Sequence, residues 1–416
     1  MNVYEQRRKK VFETIEDHSI VVLFSGEHVL ATSDEKYPFI VNKNFYYLTG
    51  INRPEVALIL VKIDQEVYEY FFIEEYMEIR EKWTGKMLRA EEVREISGIN
   101  NVLFTSLLKS KISELIISKS AYGFVNNVYV DKNHKFLRYE ETHDQFIDFI
   151  KETGHKEIKI HDIYPIIVRM RMKKDKHEID LIKKSISLTN LALRGVLEGI
   201  HPGLHEYQLR AIFEYVVRAK NGDIAFDTIV ASGKNATILH HVDLDHRMRD
   251  GQLVLMDVGA SIGQYKADIS RTYPVNGIFN PFQRQIYEIV LATNKAVIDF
   301  IRPGRTIAEI QAYTKQYLTT KLLEEELLSE GEAIEKYYYH NISHHLGLDT
   351  HDAFIDNLPL EEGNVITVEP GLYFEKHGIG VRIEDDILVT KTGAENLSKQ
   401  IPKEIEEIEA LIKIDY

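Results

Sequence analysis

Two pairs of acids stand in apolar, strand-like runs, where acids are expensive. Asp257 sits in LVLMDVGA and Asp268 in YKADISRTY; Glu369 sits in VITVEPGLY and Glu384 in GVRIEDDILV. The first two runs flank a short loop at 261–264, and a hairpin centred on it makes Asp257 and Asp268 direct cross-strand neighbours on one face. The second two flank a loop near Lys376 and His377, and a hairpin centred there does the same for Glu369 and Glu384. A one-residue slip would ruin either pairing. Like charges opposite one another destabilise a sheet, and in apolar strands the penalty grows. Either the carboxyls hold protons or cations neutralise them. Four converging carboxylates suit two divalent ions sharing oxygens about 3.5–4 Å apart. For one acid a solvated strand face is the plainer reading; four in matched register outweigh it.

The histidines add a second signal. HNISHHLGLDTHD carries His340, His344, His345 and His351. A polar surface loop could hold as many, but its Gly and apolar content suggests a loop folded back into a site. Other motifs fail. His177-Glu178 and His205-Glu206 lack the second His of HExxH. Gly233-Lys234 has Thr228 where a phosphate loop needs its upstream Gly. GASIG at 259–263 matches G-x-S-x-G, but YKADISRTYPV follows it as a strand where a nucleophile elbow requires a helix.

These residues need elements to hold them. The first half of the chain alternates strand-like runs (SIVVLFSG, EVALILVKI) with helical stretches, including a strongly charged one at 75–96. A Gly, a Pro and a dense basic run mark a boundary around 150–176. Beyond it, helical spacing predicts helices over HEIDLIKKSISLTNLALRGVLEGI, EYQLRAIFEYVVRAK, PFQRQIYEIVLATNKAVIDFI and 307–328; the first and third end at Pro-Gly pairs. FDTIVAS, QLVLMDVGA, YKADISRTYPV, NVITVEPGLYF and GVRIEDDILVT read as single strands. Helices segregated from hairpin strands predict an α+β second half.

Composition bounds the chemistry. The chain has 416 residues, enough for two or three domains, and no Cys, so thiolate metal sites, disulfides and Cys nucleophiles are excluded. Any metal must be held by His, Asp, Glu or backbone. A net charge of −14 argues against nucleic-acid binding. The first residues lack an apolar signal-peptide core and no apolar run could span a membrane, so a cytoplasmic protein is expected and the N-x-S/T matches at Asn235, Asn341 and Asn396 are chance.

At the residues above the chain resembles the pita-bread metallopeptidases of family M24B, and among them the aminopeptidase P (Xaa-Pro aminopeptidase) family. ILHH, LMDVGA, YKADISRTYPV, HNISHHLGLDTHD, TVEPGLY and GVRIEDD stand in family order with family-like spacing, and YPFIVNKNFYYLTGINRPEVALIL is similar to the family's N-terminal domain. The resemblance implies an α+β pita-bread (creatinase/aminopeptidase-type) catalytic domain at 171–416, preceded by a smaller α/β N-terminal domain with linker at 1–170. It carries over five metal ligands: Asp257, Asp268, His344, Glu369 and Glu384. His344 rather than His345 takes the ligand place, seven residues before the His of the His351-Asp352 pair. Outer-sphere histidines match His240, His340 and His351, and Tyr373 and Arg382 match residues beside the ligand glutamates. Trp83, the only Trp, resembles a position that can reach a neighbouring subunit's active site; packing within its own subunit explains a lone Trp equally well.

The implied cofactors are two divalent ions. One His and four carboxylates favour Mn²⁺, with Co²⁺ or Zn²⁺ as substitutes. The implied activity releases the first residue from Xaa-Pro-Yaa peptides. A hydroxide shared by the ions attacks, Glu369 is the general base, and His240 and His351 stabilise the oxyanion. The implied partners are proline-containing peptides and further copies of the chain, as homodimer or homotetramer; neither nucleic acid nor membrane is expected. Prolidase, with the same ligands but dipeptide substrates, is the alternative reading, and Ser343 and the FYYLTG-type N-domain lean away from it. Non-catalytic peptide- or histone-binding modules of this fold have lost ligands that are intact here. Asn341 stands where the family often has Gly, and His241 where the family varies; neither is a ligand.

Overall fold

The β-branched run SIVVLF forms β1 (Ser19–Phe24), and it takes the centre of a sheet because it is buried along almost its whole length. The computed structural model describes residues 1–116, 124–132, 140–152 and 157–412. The chain divides into two compact units, Met1–Met170 and Arg171–Tyr416. The first unit contains α1 (Val3–Thr14), α2 (Lys43–Thr49), β2 (Ala57–Ile63), β3 (Glu66–Ile73), α3 (Glu78–Thr84), α4 (Ala90–Ser97), β4 (Asn101–Phe104), α5 (Leu108–Ile116), β5 (Asn127–Val130), α6 (Glu140–Glu152) and β6 (Lys159–Asp162). Its sheet runs β4-β3-β2-β1-β5-β6. The hairpin strands β1, β2 and β3 are antiparallel, and β4, β5 and β6 join parallel. Ile20, Val22, Ile59, Val61, Phe72 and Val128 form its buried core. The charged stretch expected as one helix is two, α3 and α4, with Gly85 at φ +84° after the first.

In α7 (Tyr164–Met172) the chain passes to the second unit, which opens with α8 (Lys176–Gly199) and α9 (Glu206–Ala219). Asp175 caps α8 in a reciprocal pair with Glu178, and α8 ends before His201-Pro202-Gly203 as expected. Then come β7 (Asp223–Ile224), β8 (Ile229–Ser232), β9 (Leu253–Val258), β10 (Ala260–Ile262), β11 (Tyr265–Lys266), β12 (Ile269–Pro274), α10 (Pro281–Phe300) and α11 (Ile307–Glu324). Strands β13 (Val365–Val368), β14 (Gly371–Phe374), β15 (Ile379–Arg382), β16 (Asp385–Val389) and β17 (Ala394–Asn396) and helix α12 (Ile405–Leu411) complete the unit. The strands form sheets ordered β12-β9-β8, β11-β10-β7, β13-β16-β17 and β14-β15. Val297 of α10, Ile301 just after it and Ile310 of α11 pack on Ile366, Val368, Ile387 and Val389, so these helices back the strands that end beside the glutamates. Among the described residues no helix is long and apolar enough to cross a membrane.

The two hairpins fared differently. In the second, the register predicted from the loop at Lys376 and His377 is observed: Val368 pairs Asp385 in one ladder and Gly371 pairs Arg382 in the next. Glu369 and Glu384 therefore face each other at the break between the ladders. In the first, the turn lies at Gly263 and Gln264, both at positive φ (+56° and +71°), so Ser261 pairs Lys266 and Ile262 pairs Tyr265. A two-residue turn with both φ positive matches strand twist, which is why it wins over the wider loop expected. Asp257 consequently faces Ser270, not Asp268. The slip is two residues, so Asp268 keeps the face of Ser270 and stays beside Asp257.

Candidate active site

Runs expected as unbroken strands are broken at the acids themselves. Asp268 lies between β11 and β12, Glu369 between β13 and β14, and Glu384 between β15 and β16. One cavity of the second unit is lined by Asp257, Asp268, His344, Glu369 and Glu384 together with His240, His340, His351 and Arg382. Tyr373 stands directly behind it, buried. Trp83 belongs to the first unit, where it projects from α3 with 83% of its surface exposed.

The loop from 340 to 351 is held by backbone. His344 accepts from the Thr367 N–H, Leu346 N–H donates to the Val365 carbonyl, and the Glu369 N–H donates to the Ile342 carbonyl. These bonds lay the loop along β13. His344 Nε2 reaches Asp268 Oδ2 at 3.3 Å and Glu369 Oε1 at 3.7 Å, while its Nδ1 sits 3.0 Å from the His345 carbonyl. Nε2 therefore points into the cavity. The His344 and His351 rings meet edge to face, 4.3 Å between centroids. His345 points away, buried and stacked on Phe354, as its exclusion from the ligand set requires.

Arg382 organises the opposite wall. Its Nη2 donates to Asp257 Oδ2 at 2.6 Å, its Nε to Ser270 Oγ at 2.8 Å and its Nη1 to the Tyr373 hydroxyl at 3.1 Å. Ser270 Oγ in turn donates to Glu384 Oε2 at 2.7 Å. The Tyr373 hydroxyl lies 2.8 Å from His340 Nε2. One planar guanidinium thus fixes two acids and, through Tyr373, a histidine.

Beneath this wall lies a layer that sequence reasoning missed. Arg271 is fully buried and donates to the carbonyls of Ser270 and Glu384 and to Asp385 Oδ1. Lys403 donates to Asp385 Oδ2, and the two cations hold the Asp385 carboxyl well below the usual range despite its burial. Asp386 accepts from the Asp268 N–H at 3.2 Å. Asp352, next to His351, is clamped by Arg171 at 2.5 Å and Lys174 at 3.0 Å. The only signals for this layer were the Asp385-Asp386 run and the acid of the His351-Asp352 pair; three of its cations, Arg271, Arg171 and Lys174, come from segments more than a hundred residues away.

The electrostatics separate these acids into two sets. Asp385 and Asp352 have cations against them and are held low. Asp268 is pushed well above the usual range by burial and then by repulsion from Asp257, Asp386 and Glu369, and Glu384 by burial and then by repulsion from Asp268, Glu369 and Asp257. Burial raises Glu369 to about 7, although His344 and Arg382 pull it down. Burial and then Arg382 lower His340 to about 3, so that ring is neutral. His351 is likewise lowered, by desolvation and then by His344 and His240.

The arrangement fits hard divalent cations. Donor atoms of Asp268, His344 and Glu384 lie within 4.8 Å of one another. Asp257 Oδ1 is buried without a hydrogen-bond partner among the described residues. Carboxylate oxygens with one imidazole suit Mn²⁺ and similar ions, and cations would relieve the repulsion that raises these carboxyls.

Comparisons with known proteins place the chain in a family. The model of "Metallopeptidase family M24" matches residues 180–391, and that of "Aminopeptidase P, N-terminal domain" matches residues 4–122. The Xaa-Pro aminopeptidase of Escherichia coli is 31% identical over 98% of this chain and 97% of its own. A Bacillus anthracis structure assigned to aminopeptidase P superposes with a TM-score of 0.94 at 40% identity, covering 99% of this chain and 97% of that one. The structure of E. coli aminopeptidase P with the inhibitor Pro-Leu superposes with a TM-score of 0.89 at 31% identity, over the same shares.

Proposed function

The chain belongs to metallopeptidase family M24, and from that premise we propose that it removes the first residue from peptides with proline second, Xaa-Pro-Yaa. The observation that carries the reading is the convergence of Asp257, Asp268, His344, Glu369 and Glu384 on one cavity whose second wall is ordered by Arg382. The names of the relatives support the proline preference, as does the Pro-Leu inhibitor of the E. coli protein.

Those five residues would hold two divalent cations, with Mn²⁺ favoured by the hard donor set. When bound, the cations polarise the scissile carbonyl and acidify water. Glu369, whose carboxyl lines the same cavity, takes the proton from the attacking water. Glu369 returns that proton to the proline nitrogen as the C–N bond breaks, giving free Xaa and Pro-Yaa. His240 and His351 line the cavity and donate to the carbonyl oxygen as it gains charge. His340, neutral and tied to Tyr373, orders the floor under the substrate. The bond before proline is a tertiary amide without N–H, so a peptidase that grips that donor cannot process it, and a dedicated site is required.

A second copy of the chain is the partner we propose for α3. This helix buries none of its residues, and Ile79 and Trp83 stand one turn apart on it, 60% and 83% exposed.

The test is direct. Chelated protein fails to release Xaa from an Xaa-Pro-Yaa peptide, and Mn²⁺ restores release. An Xaa-Pro dipeptide in the same assay is the poorer substrate. No release with Mn²⁺, Co²⁺ or Zn²⁺ refutes the enzyme reading. Equal or better cleavage of the dipeptide refutes the aminopeptidase in favour of a dipeptidase.

A further inference from the structure

His240 lines the cavity, yet its exposed ring makes no hydrogen bond among the described residues. A long-lived orientation must therefore come from the backbone around it. Two anchors flank it. Upstream, the Tyr339 hydroxyl donates to the Thr237 carbonyl at 2.5 Å. Downstream, the adjacent His241 turns the other way, is buried, and lies 3.0 Å from Glu206 Oε2 through Nε2. A carboxylate oxygen only accepts, so Nε2 donates.

Glu206 is the first residue of α9 and is fully buried. Its Oε1 also accepts from the Ser232 N–H at 2.6 Å, the Ser232 hydroxyl at 2.7 Å and the Asn235 amide at 3.1 Å. One carboxylate thus gathers the end of β8, the turn at Asn235 and the residue after His240. Removing one donor leaves buried acceptor capacity unmet and frees the segment it held.

We propose that Glu206 and His241 are positioning residues that fix the segment 233–242 and thereby aim His240 at the substrate carbonyl; this rests on the role given to His240 above. The link is a property of this chain's ILHH sequence, in which the second His supplies the donor. Because it acts on orientation in the transition state, its loss lowers kcat and leaves KM nearly unchanged.

The experiment is a double-mutant cycle on the full-length Mn²⁺-loaded chain. Expected for His241→Ala is a kcat lower by about 10–100-fold, with KM within about threefold and metal content as in the parent. The His240→Ala/His241→Ala double variant is expected to match His240→Ala within about twofold, because the second change acts only through the first. His241→Gln restores most activity, since its amide places a donor near the Nε2 position. Deuterium uptake rises in 233–242 of His241→Ala and not in β9 or β12. Effects of the two alanines that multiply overturn the inference alone, as does parental kcat in His241→Ala or unchanged exchange in 233–242. Full activity in His240→Ala overturns the role of His240 and the inference with it.

Discussion

Asp268, Glu369 and Glu384 are acids that the fold holds against their own ionisation, and this has a sign that can be measured. Burial and mutual repulsion raise all three, Glu369 to about 7. A raised carboxyl carries its proton at a pH where a free one would not, and a cation must displace that proton to bind. Mn²⁺ affinity is therefore expected to climb by about tenfold or more from pH 6 to pH 8. Titration calorimetry in two buffers of different ionisation enthalpy should show net proton release near pH 6.5. Binding independent of both pH and buffer would contradict the raised carboxyls. Arg382 sets a second expectation. Lys would keep the charge but could not span Asp257, Ser270 and Tyr373 at once. Arg382→Lys should lower kcat/KM by about 10–100-fold with the protein still folded, read from steady-state kinetics beside circular dichroism. The four proposed carboxylate ligands could be picked from the sequence because acids are conspicuous in apolar strands, and His344 only from the resemblance of HNISHHLGLDTHD to the family motif. Ser270 and Arg271 could not, because their partners Glu384 and Asp385 lie more than a hundred residues away.

The elements carry the same lesson in their register. The Glu369 and Glu384 pairing was legible because one register runs through both ladders of its hairpin. The Asp257 and Asp268 pairing missed by two residues because a tight turn at Gly263 and Gln264 displaced the expected loop. The site survived the error, since a two-residue slip preserves the face. The break after Glu369 was signalled by Pro370-Gly371, whereas Asp268 and Glu384 have no Pro or Gly beside them to mark theirs. Where backbone meets backbone, glycine is obligatory for want of space. A Cβ on Gly380 of β15 would lie 2.0 Å from the Ala236 carbonyl oxygen, and one on Gly259 would lie 2.0 Å from that of Ala267. Neither oxygen can withdraw without moving a site segment. Gly380→Ala and Gly259→Ala should each cost about 3 kcal/mol or more in denaturant unfolding. Gly393→Ala, which meets nothing within 4 Å, should stay within about 0.5 kcal/mol. Equal stability of all three would show that the contacts relax freely.

For the molecule as a whole, the α+β second half followed from how helices and hairpin strands segregate, and the α/β first half from the resemblance of YPFIVNKNFYYLTGINRPEVALIL to the family's N-terminal domain. What composition and periodicity could not convey is why the first unit spends apolar residues on its surface. Tyr76, Met77, Ile79 and Trp83 are 53%, 52%, 60% and 83% exposed within eight residues, on or beside a helix that buries nothing. A seven-residue helix has no stability of its own, so an isolated one gains it from packing. Glu78 and Lys82 pair at 2.6 Å on its surface, but such an exposed pair contributes little. Burial of Ile79 and Trp83 against a second copy would supply what the helix lacks. The chain is therefore expected to sediment as a homo-oligomer at micromolar concentration. Ile79→Glu with Trp83→Glu adds two charges to the face and should shift the boundary to the monomer in sedimentation velocity. Because the proposed ligands all belong to the second unit, Mn²⁺ content per chain should remain as in the parent. A parental sedimentation coefficient in the double variant would exclude α3 from the assembly contact, and a monomeric parent would leave its exposed apolar face without the partner assigned to it.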